Sequence, residues 1–168
     1  MLEEHANVVK LISLAGEVKG RKKLQKMIYI AKKFDYPFQE KYQFHMYGPY
    51  SEELTLRVEE LCTMGFLAER KEHKGAYEQY LYTVTDKGNL FIKGFSEQTE
   101  QLPKIIEALN NESSRFLELV STLLYFDELE RAQQILKVQT VKAKLKFTEE
   151  EMAQAFELIE KLATFKNC

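Results

Sequence analysis

Between Glu17 and Lys33 the sequence sets seven cationic side chains against one carboxylate, in a chain whose net charge is only −2. Lys19, Arg21, Lys22 and Lys23 crowd the start of this stretch. Lys22, Lys26, Tyr29 and Lys33 follow at i, i+4, i+7 and i+11, which places them on one side of a helix. A basic stripe carrying an aromatic ring suits phosphate-backbone contact and base stacking. Positive charge at a helix N-terminus also opposes the macrodipole, and a bound anion would relieve that conflict. The competing reading is a lysine-rich face turned to solvent. Two further basic segments follow. Arg70, Lys71, His73 and Lys74 are offset by Glu69, Glu72 and Glu78, whereas Lys137, Lys142, Lys144 and Lys146 have no acid among them.

The next charged helix has the opposite sign. Its exposed face should carry Glu52, Glu53, Leu56, Glu59 and Glu60, with only Arg57 positive. Each carboxylate would repel a phosphate backbone, although a Glu can accept from cytosine. Leu56, ringed by carboxylates, reads as the apolar anchor of a protein interface, or as a single surface leucine that needs no explanation. For catalysis the chain offers little. His5, His45 and His73 are far apart and lack metal-ligand spacing. His45 reads as a structural histidine, Cys62 as packing rather than a nucleophile, and no glycine loop cradles phosphate. No catalytic residue, metal or cofactor is predicted.

Apolar periodicity supplies the elements that position these residues. Val8, Leu11, Ile12 and Ala15 mark a first helix ending near Gly16. Leu24, Met27, Ile28 and Ala31 mark a second, which begins after Gly20 and reaches Phe34. Gly48-Pro49 is a break, and Tyr47 and Tyr50 should pack the junction to the third helix. Ser51 caps that helix, which carries Leu54, Val58 and Leu61 inward and stops at Gly65. Residues 66–71 and 79–84 read as strands joined by a turn at Lys74-Gly75. Thr85 then caps a helix continuing to about Phe95. Beyond residue 98 four helices follow, marked by Leu102 to Leu109, by Phe116 to Leu124, by Leu129, Ala132 and Leu136, and by a last one opened by a Thr148/Glu151 capping box. Residues 138–147 fit either period and are read as a linker or short extended piece.

Three helices and a two-stranded hairpin form the order of a winged helix-turn-helix, in which the third helix usually enters the major groove. Residues 1–97 are therefore expected to form a winged-helix-like module in a mainly α, α+β protein, with residues 98–168 a helical region packed on it. The chain's 168 residues suffice for one domain, and Cys62 and Cys168 make neither a disulfide framework nor a zinc site. No signal peptide or membrane-length apolar run is read, so a reduced, cytoplasmic location is expected.

Leu24-Gln25-Lys26-Met27-Ile28-Tyr29, Tyr47-Gly48-Pro49-Tyr50-Ser51 and Gly65-Phe66-Leu67 resemble the pattern of the YwgA-type proteins of bacilli. More distantly, residues 5–95 are similar to the Panacea, or SocA-like, antitoxin domain. The resemblance implies a winged-helix-like bacterial module without an enzymatic reaction, and Panacea proteins act largely by binding protein partners. Two functions are carried forward. The first is a nucleic-acid-binding regulator of transcription using Lys19, Arg21, Lys22, Lys23, Lys26, Tyr29 and Lys33 with Lys71 and Lys74 of the wing. The second is an antitoxin-like adaptor gripping a protein through Glu52, Leu56, Glu59 and Glu60. The C-terminal helices offer a surface for a homodimer, and no membrane partner is expected.

Overall fold

A computed structural model describes residues 2–46, 48–95 and 101–166 of the chain. Tyr47 and Cys168 lie outside the described residues. Helix α1 (Glu3–Ala15) buries Ala6, Val8, Val9, Leu11 and Ile12 and ends at Gly16, whose φ of 81° suits glycine. Strand β1 (Val18–Lys19) leads into α2 (Arg21–Lys33). A small hairpin, β2 (Gln43–His45) and β3 (Gly48–Tyr50), precedes α3 (Glu52–Thr63). The long hairpin β4 (Leu67–Lys74) and β5 (Tyr77–Val84) is followed by α4 (Asp86–Ile92), α5 (Leu102–Asn110), α6 (Ser114–Tyr125), α7 (Arg131–Val141), a 3₁₀ turn (Ala143–Leu145) and α8 (Glu149–Lys166).

The result is a mixed α+β protein, mostly helical, with two small antiparallel sheets among the described residues. One sheet has the order β1-β5-β4, with Val18 opposite Tyr82 and Leu67 opposite Val84. In the other, Phe44 lies opposite Pro49. Helix α2 is the central element. Its apolar stripe predicts a half-buried helix, yet every residue from Leu24 to Ala31 is buried, because α6, α5 and β3 cover the side that faces away from β1 and β5. One apolar cluster then runs from Val8 of α1 through Ile28 and Leu119 to Leu162 of α8.

Side-chain caps set the helix boundaries. Ser51 Oγ accepts from the Leu54 amide at 3.1 Å and Thr85 Oγ1 from the Gly88 amide at 3.0 Å. Thr148 and Glu151 form the reciprocal capping box, each backbone amide donating to the other's side chain at 3.0 Å.

Several expectations are corrected. The strands of the long hairpin extend to Lys74 and from Tyr77, beyond the expected 66–71 and 79–84. The Gly48-Pro49 break is part of a short strand. Helix α4 stops at Ile92, short of Phe95. In α7 the expected face is outside: Leu136 is exposed, and Val138 is the buried residue. Residues 138–147 are not extended. They finish α7 and form the 3₁₀ turn, because Lys142 is drawn inward rather than alternating towards solvent.

Gly88, in the first turn of α4, is buried against residues 66 and 84. A Cβ there would overlap the Phe66 carbonyl oxygen and crowd Val84 Cγ1 at 2.8 Å. Helix propensity alone favours alanine by about 1 kcal/mol, but overlap with fixed backbone outweighs it. Gly88→Ala is therefore expected to lower stability by about 1–3 kcal/mol in urea unfolding. A stabilised variant would show that α4 does not pack this closely.

Candidate functional site

The cations of α2 do not form an open stripe. Lys26 and Tyr29 are 1% and 6% exposed. Tyr29 stacks edge-on against Tyr42 at 4.9 Å and lies 6.3 Å from Tyr125. Its hydroxyl is held protonated well beyond the usual range, chiefly by burial. The others are mostly engaged. Arg21 lies over the Tyr80 ring at 3.8 Å, donates to the Tyr82 hydroxyl at 3.1 Å and stands 3.5 Å from Glu69. Lys23 donates to the Asn110 carbonyl at 2.7 Å, fastening α2 to the end of α5. Lys33 pairs with Asp127 at 2.8 Å. On the long hairpin Lys71 pairs with Glu78 at 2.7 Å and Lys74 with Glu72 at 2.5 Å. Lys19 and Lys22 remain exposed at the start of the helix.

Lys26 instead belongs to a buried charge cluster. Its Nζ lies 3.7 Å from one carboxylate oxygen of Glu118 on α6, and Lys142 lies 3.4 Å from the other. Lys142 Nζ also donates to the Met46 carbonyl at 2.5 Å. The three side chains are 2%, 11% and 4% exposed, so two ammonium groups share one carboxylate away from water. Desolvation lowers the Lys26 pKa to about 8. Glu118 partly opposes this fall, and Lys22 and Lys142 add to it. The Gly48 backbone passes close over this cluster, with Glu118, Ser121 and Thr122 within van der Waals reach of where a Cβ would stand.

Gln25, the preceding residue, faces the other way and fixes α3. Its amide reproduces a backbone pairing: Nε2 donates to the Ser51 carbonyl and Oε1 accepts from the Ser51 amide, each at 2.9 Å. Nε2 also reaches Thr55 Oγ1 at 3.0 Å, and the Tyr50 hydroxyl meets that same oxygen at 2.7 Å. Between the two helices a groove of about 260 Å³ remains open. Leu24, Leu54, Val58 and Pro49 give it an apolar lining, Lys22 and Arg21 stand on the α2 lip, and Glu59 stands on the α3 lip.

Beside that groove, α3 presents the acidic face expected of it. Leu56 is 60% exposed, and Glu52, Glu53, Glu59 and Glu60 are exposed around it. Arg57, the helix's one cation, turns inward to the buried carboxylate of Glu40 and towards Glu4 at 3.6 Å. Glu60 lies 3.6 Å from His5, and Glu53 accepts from the Lys41 amide at 3.2 Å. Neither Glu52 nor Glu59 forms an ion pair with a described residue. Gly48 and Pro49 are buried and Tyr50 half-buried, so this motif shapes the groove's floor and end; its Tyr47 lies outside the described residues.

Gln25, Glu118 and the Arg57–Glu40 pair were not singled out from the sequence. Glu118 had a readable signal: a carboxylate set between Leu117 and Leu119 in a helix apolar nearly all round must find a buried cation. His45 packs against the Tyr50 ring at 5.1 Å and His73 lies 3.6 Å from Glu78, so each histidine has its own local partner.

A helix-rich α+β protein with an apolar groove beside an acidic helix is thus defined. No protein-family model matches the chain. The uncharacterized protein YwgA of Bacillus subtilis (strain 168) is 56% identical over 162 residues, covering 96% of this chain and 98% of that protein. The chain belongs to the YwgA family. Among the described residues no helix is long and apolar enough to cross a membrane.

The charge cluster makes a paired prediction. Glu118→Gln leaves two buried ammonium groups without a carboxylate and should cost about 3–5 kcal/mol. Lys26→Met leaves Glu118 one-to-one with Lys142 and should be close to neutral at pH 7. The pH dependence carries a sign. With its folded pKa below the unfolded value, Lys26 loses its proton more readily when folded, so its charge opposes folding below pH 8 and this penalty fades as pH rises. The wild type should therefore gain stability relative to Lys26→Met between pH 7.5 and 9.5, on the order of 2 kcal/mol. Denaturant titrations across that range check it, and parallel profiles would contradict it.

Proposed function

We propose that this protein is a non-enzymatic interaction module that binds a protein partner through the outer face of α3. The observation carrying this reading is the arrangement on that helix: an exposed Leu56 within a field of Glu52, Glu53, Glu59 and Glu60, with Arg57 withdrawn to Glu40. Carboxylates of one sign speed encounter with a basic surface, and an apolar residue at their centre slows release. The order α1-β1-α2-β2-β3-α3-β4-β5, with β1 added to the edge of the long hairpin, supports a winged-helix reading of residues 1–97 in which the β2–β3 hairpin is inserted between α2 and α3. In that reading α3 occupies the place of a recognition helix but carries the wrong charge for phosphate. The resemblance to the Panacea domain points the same way, to a cytoplasmic adaptor or antitoxin-like role.

A nucleic-acid-binding regulator is the second reading. Its support is the exposure of Lys19 and Lys22 beside the long hairpin, where Gln79 touches the Lys19 carbonyl. It draws less from α2 than the sequence suggests, since Lys26 and Tyr29 are buried.

Affinity capture from nuclease-treated native lysate, then titration with the purified partner, distinguishes the two. Leu56→Ala should leave the melting temperature unchanged, because the side chain is exposed. It should weaken the partner by about tenfold or more, as expected of a central anchor. Glu52→Lys with Glu59→Lys should mainly slow association. Capture that vanishes with nuclease, or partner affinity indifferent to Leu56, would overturn the α3 reading.

A further inference from the structure

We infer that the groove between α2 and α3 is an anchor pocket for a linear segment of a partner protein, one that inserts a bulky apolar side chain and sets a Lys or Arg beside it. This deepens the α3 reading and rests on it, since Glu59 belongs to both surfaces: it stands on the outer face of α3 and forms that helix's lip of the groove.

Three properties of the groove select this occupant. Its volume of about 260 Å³ falls below the roughly 300–1,000 Å³ of sites that enclose drug-sized ligands and cofactors. It suits one or two side chains. Leu24, Leu54, Val58 and Pro49 supply the apolar part of its lining, so transfer of an apolar group from water against them is favourable. Its shape is fixed before anything binds, because the Gln25 amide grips both backbone groups of Ser51 and the Tyr50 hydroxyl is tied to Thr55. Little ordering cost then opposes insertion.

Charge decides what stands beside the anchor. On the α2 lip Lys22 is exposed, and the Arg21 guanidinium is engaged by Tyr80, Tyr82 and Glu69. Lys26 lines the groove with its stem while its ammonium lies against Glu118 on α6. On the α3 lip Glu59 has no ion pair with a described residue, and Glu52 and Glu60 lie close by on the same helix face. A cation on the α3 side of the inserted side chain meets these carboxylates, whereas an acidic segment laid against that lip would be repelled by them.

The test uses the full-length protein and, as probe, a random-peptide library displayed on phage. Enriched peptides should share an aromatic or branched aliphatic residue with Lys or Arg within a few positions. A synthetic copy of the best peptide, titrated into methyl-labelled protein, should shift the Leu24, Leu54 and Val58 methyl resonances. Glu59→Arg should weaken it by about tenfold, while Leu56→Ala should leave it nearly unchanged, since a short anchor does not span the outer face. No enrichment, enrichment of acidic or wholly polar peptides, or shifts confined to residues outside the groove would overturn the inference. The two readings fail separately. A partner weakened by Leu56→Ala but indifferent to competition by the peptide leaves the α3 face standing and removes the pocket. Peptides that occupy the groove while Leu56→Ala leaves the intact partner bound remove the α3 face.

Discussion

Two ammonium groups and one carboxylate, held away from water between α2, α6 and the end of α7, dictate much of this molecule. A buried Lys26 is tolerable only with a charged partner at hand, and Glu118 must be delivered to it from a helix more than ninety residues later in the chain. That requirement sets α6 across α2. It also draws Lys142 inward, which bends the chain into a 3₁₀ turn before α8 and ties the Met46 carbonyl over the cluster. Replacement of such a cluster by apolar side chains of similar volume is often neutral or stabilising, so its presence speaks for defined geometry more than for stability.

Neighbouring residues on α2 divide the work of orientation. Lys26 looks towards α6, and Gln25 looks towards α3, where it meets both backbone groups of Ser51. Ser51 in turn caps α3. The position of α3 relative to the core is thereby fixed at its N-terminus, while Arg57 fixes its middle by reaching Glu40 and Glu4. At the margins of the outer face Glu53 accepts from the Lys41 amide and Glu60 lies beside His5. The outer side keeps Leu56, Glu52 and Glu59 for contact with something else.

The order of the α-helices, the long hairpin and the caps at Ser51, Thr85 and the Thr148/Glu151 pair were legible in the sequence, because they depend on local signals such as apolar spacing and capping residues. The exposure of Leu56 was legible for the same reason, being a matter of helix phase against Leu54, Val58 and Leu61. The fate of the α2 cations was not. Lys22, Lys26, Tyr29 and Lys33 share a face by spacing, but spacing cannot tell whether a later helix covers that face. Here α6 covers its middle, so Lys26 and Tyr29 become interior while Lys22 stays exposed. The reading of residues 138–147 failed similarly. An alternation of lysines with apolar residues suggests an edge facing water, yet Lys142 is drawn to Glu118 by an interaction that no local pattern announces. The β2–β3 hairpin, with Pro49 in a strand, was hidden for a related reason, since it is held by aromatic packing of Phe44 on Tyr125 and Phe126.

The central claim is that Lys26, at the middle of the basic face of α2, serves the interior, so that recognition passes to α3. Amine acylation of the native protein, followed residue by residue with mass spectrometry, tests it most directly. Lys26 and Lys142 should remain protected on the timescale of global unfolding, while Lys19 and Lys22 are modified at the rate of exposed amines. Modification of Lys26 as rapid as that of Lys19 would mean that α2 presents its basic face to solvent, contradicting the account.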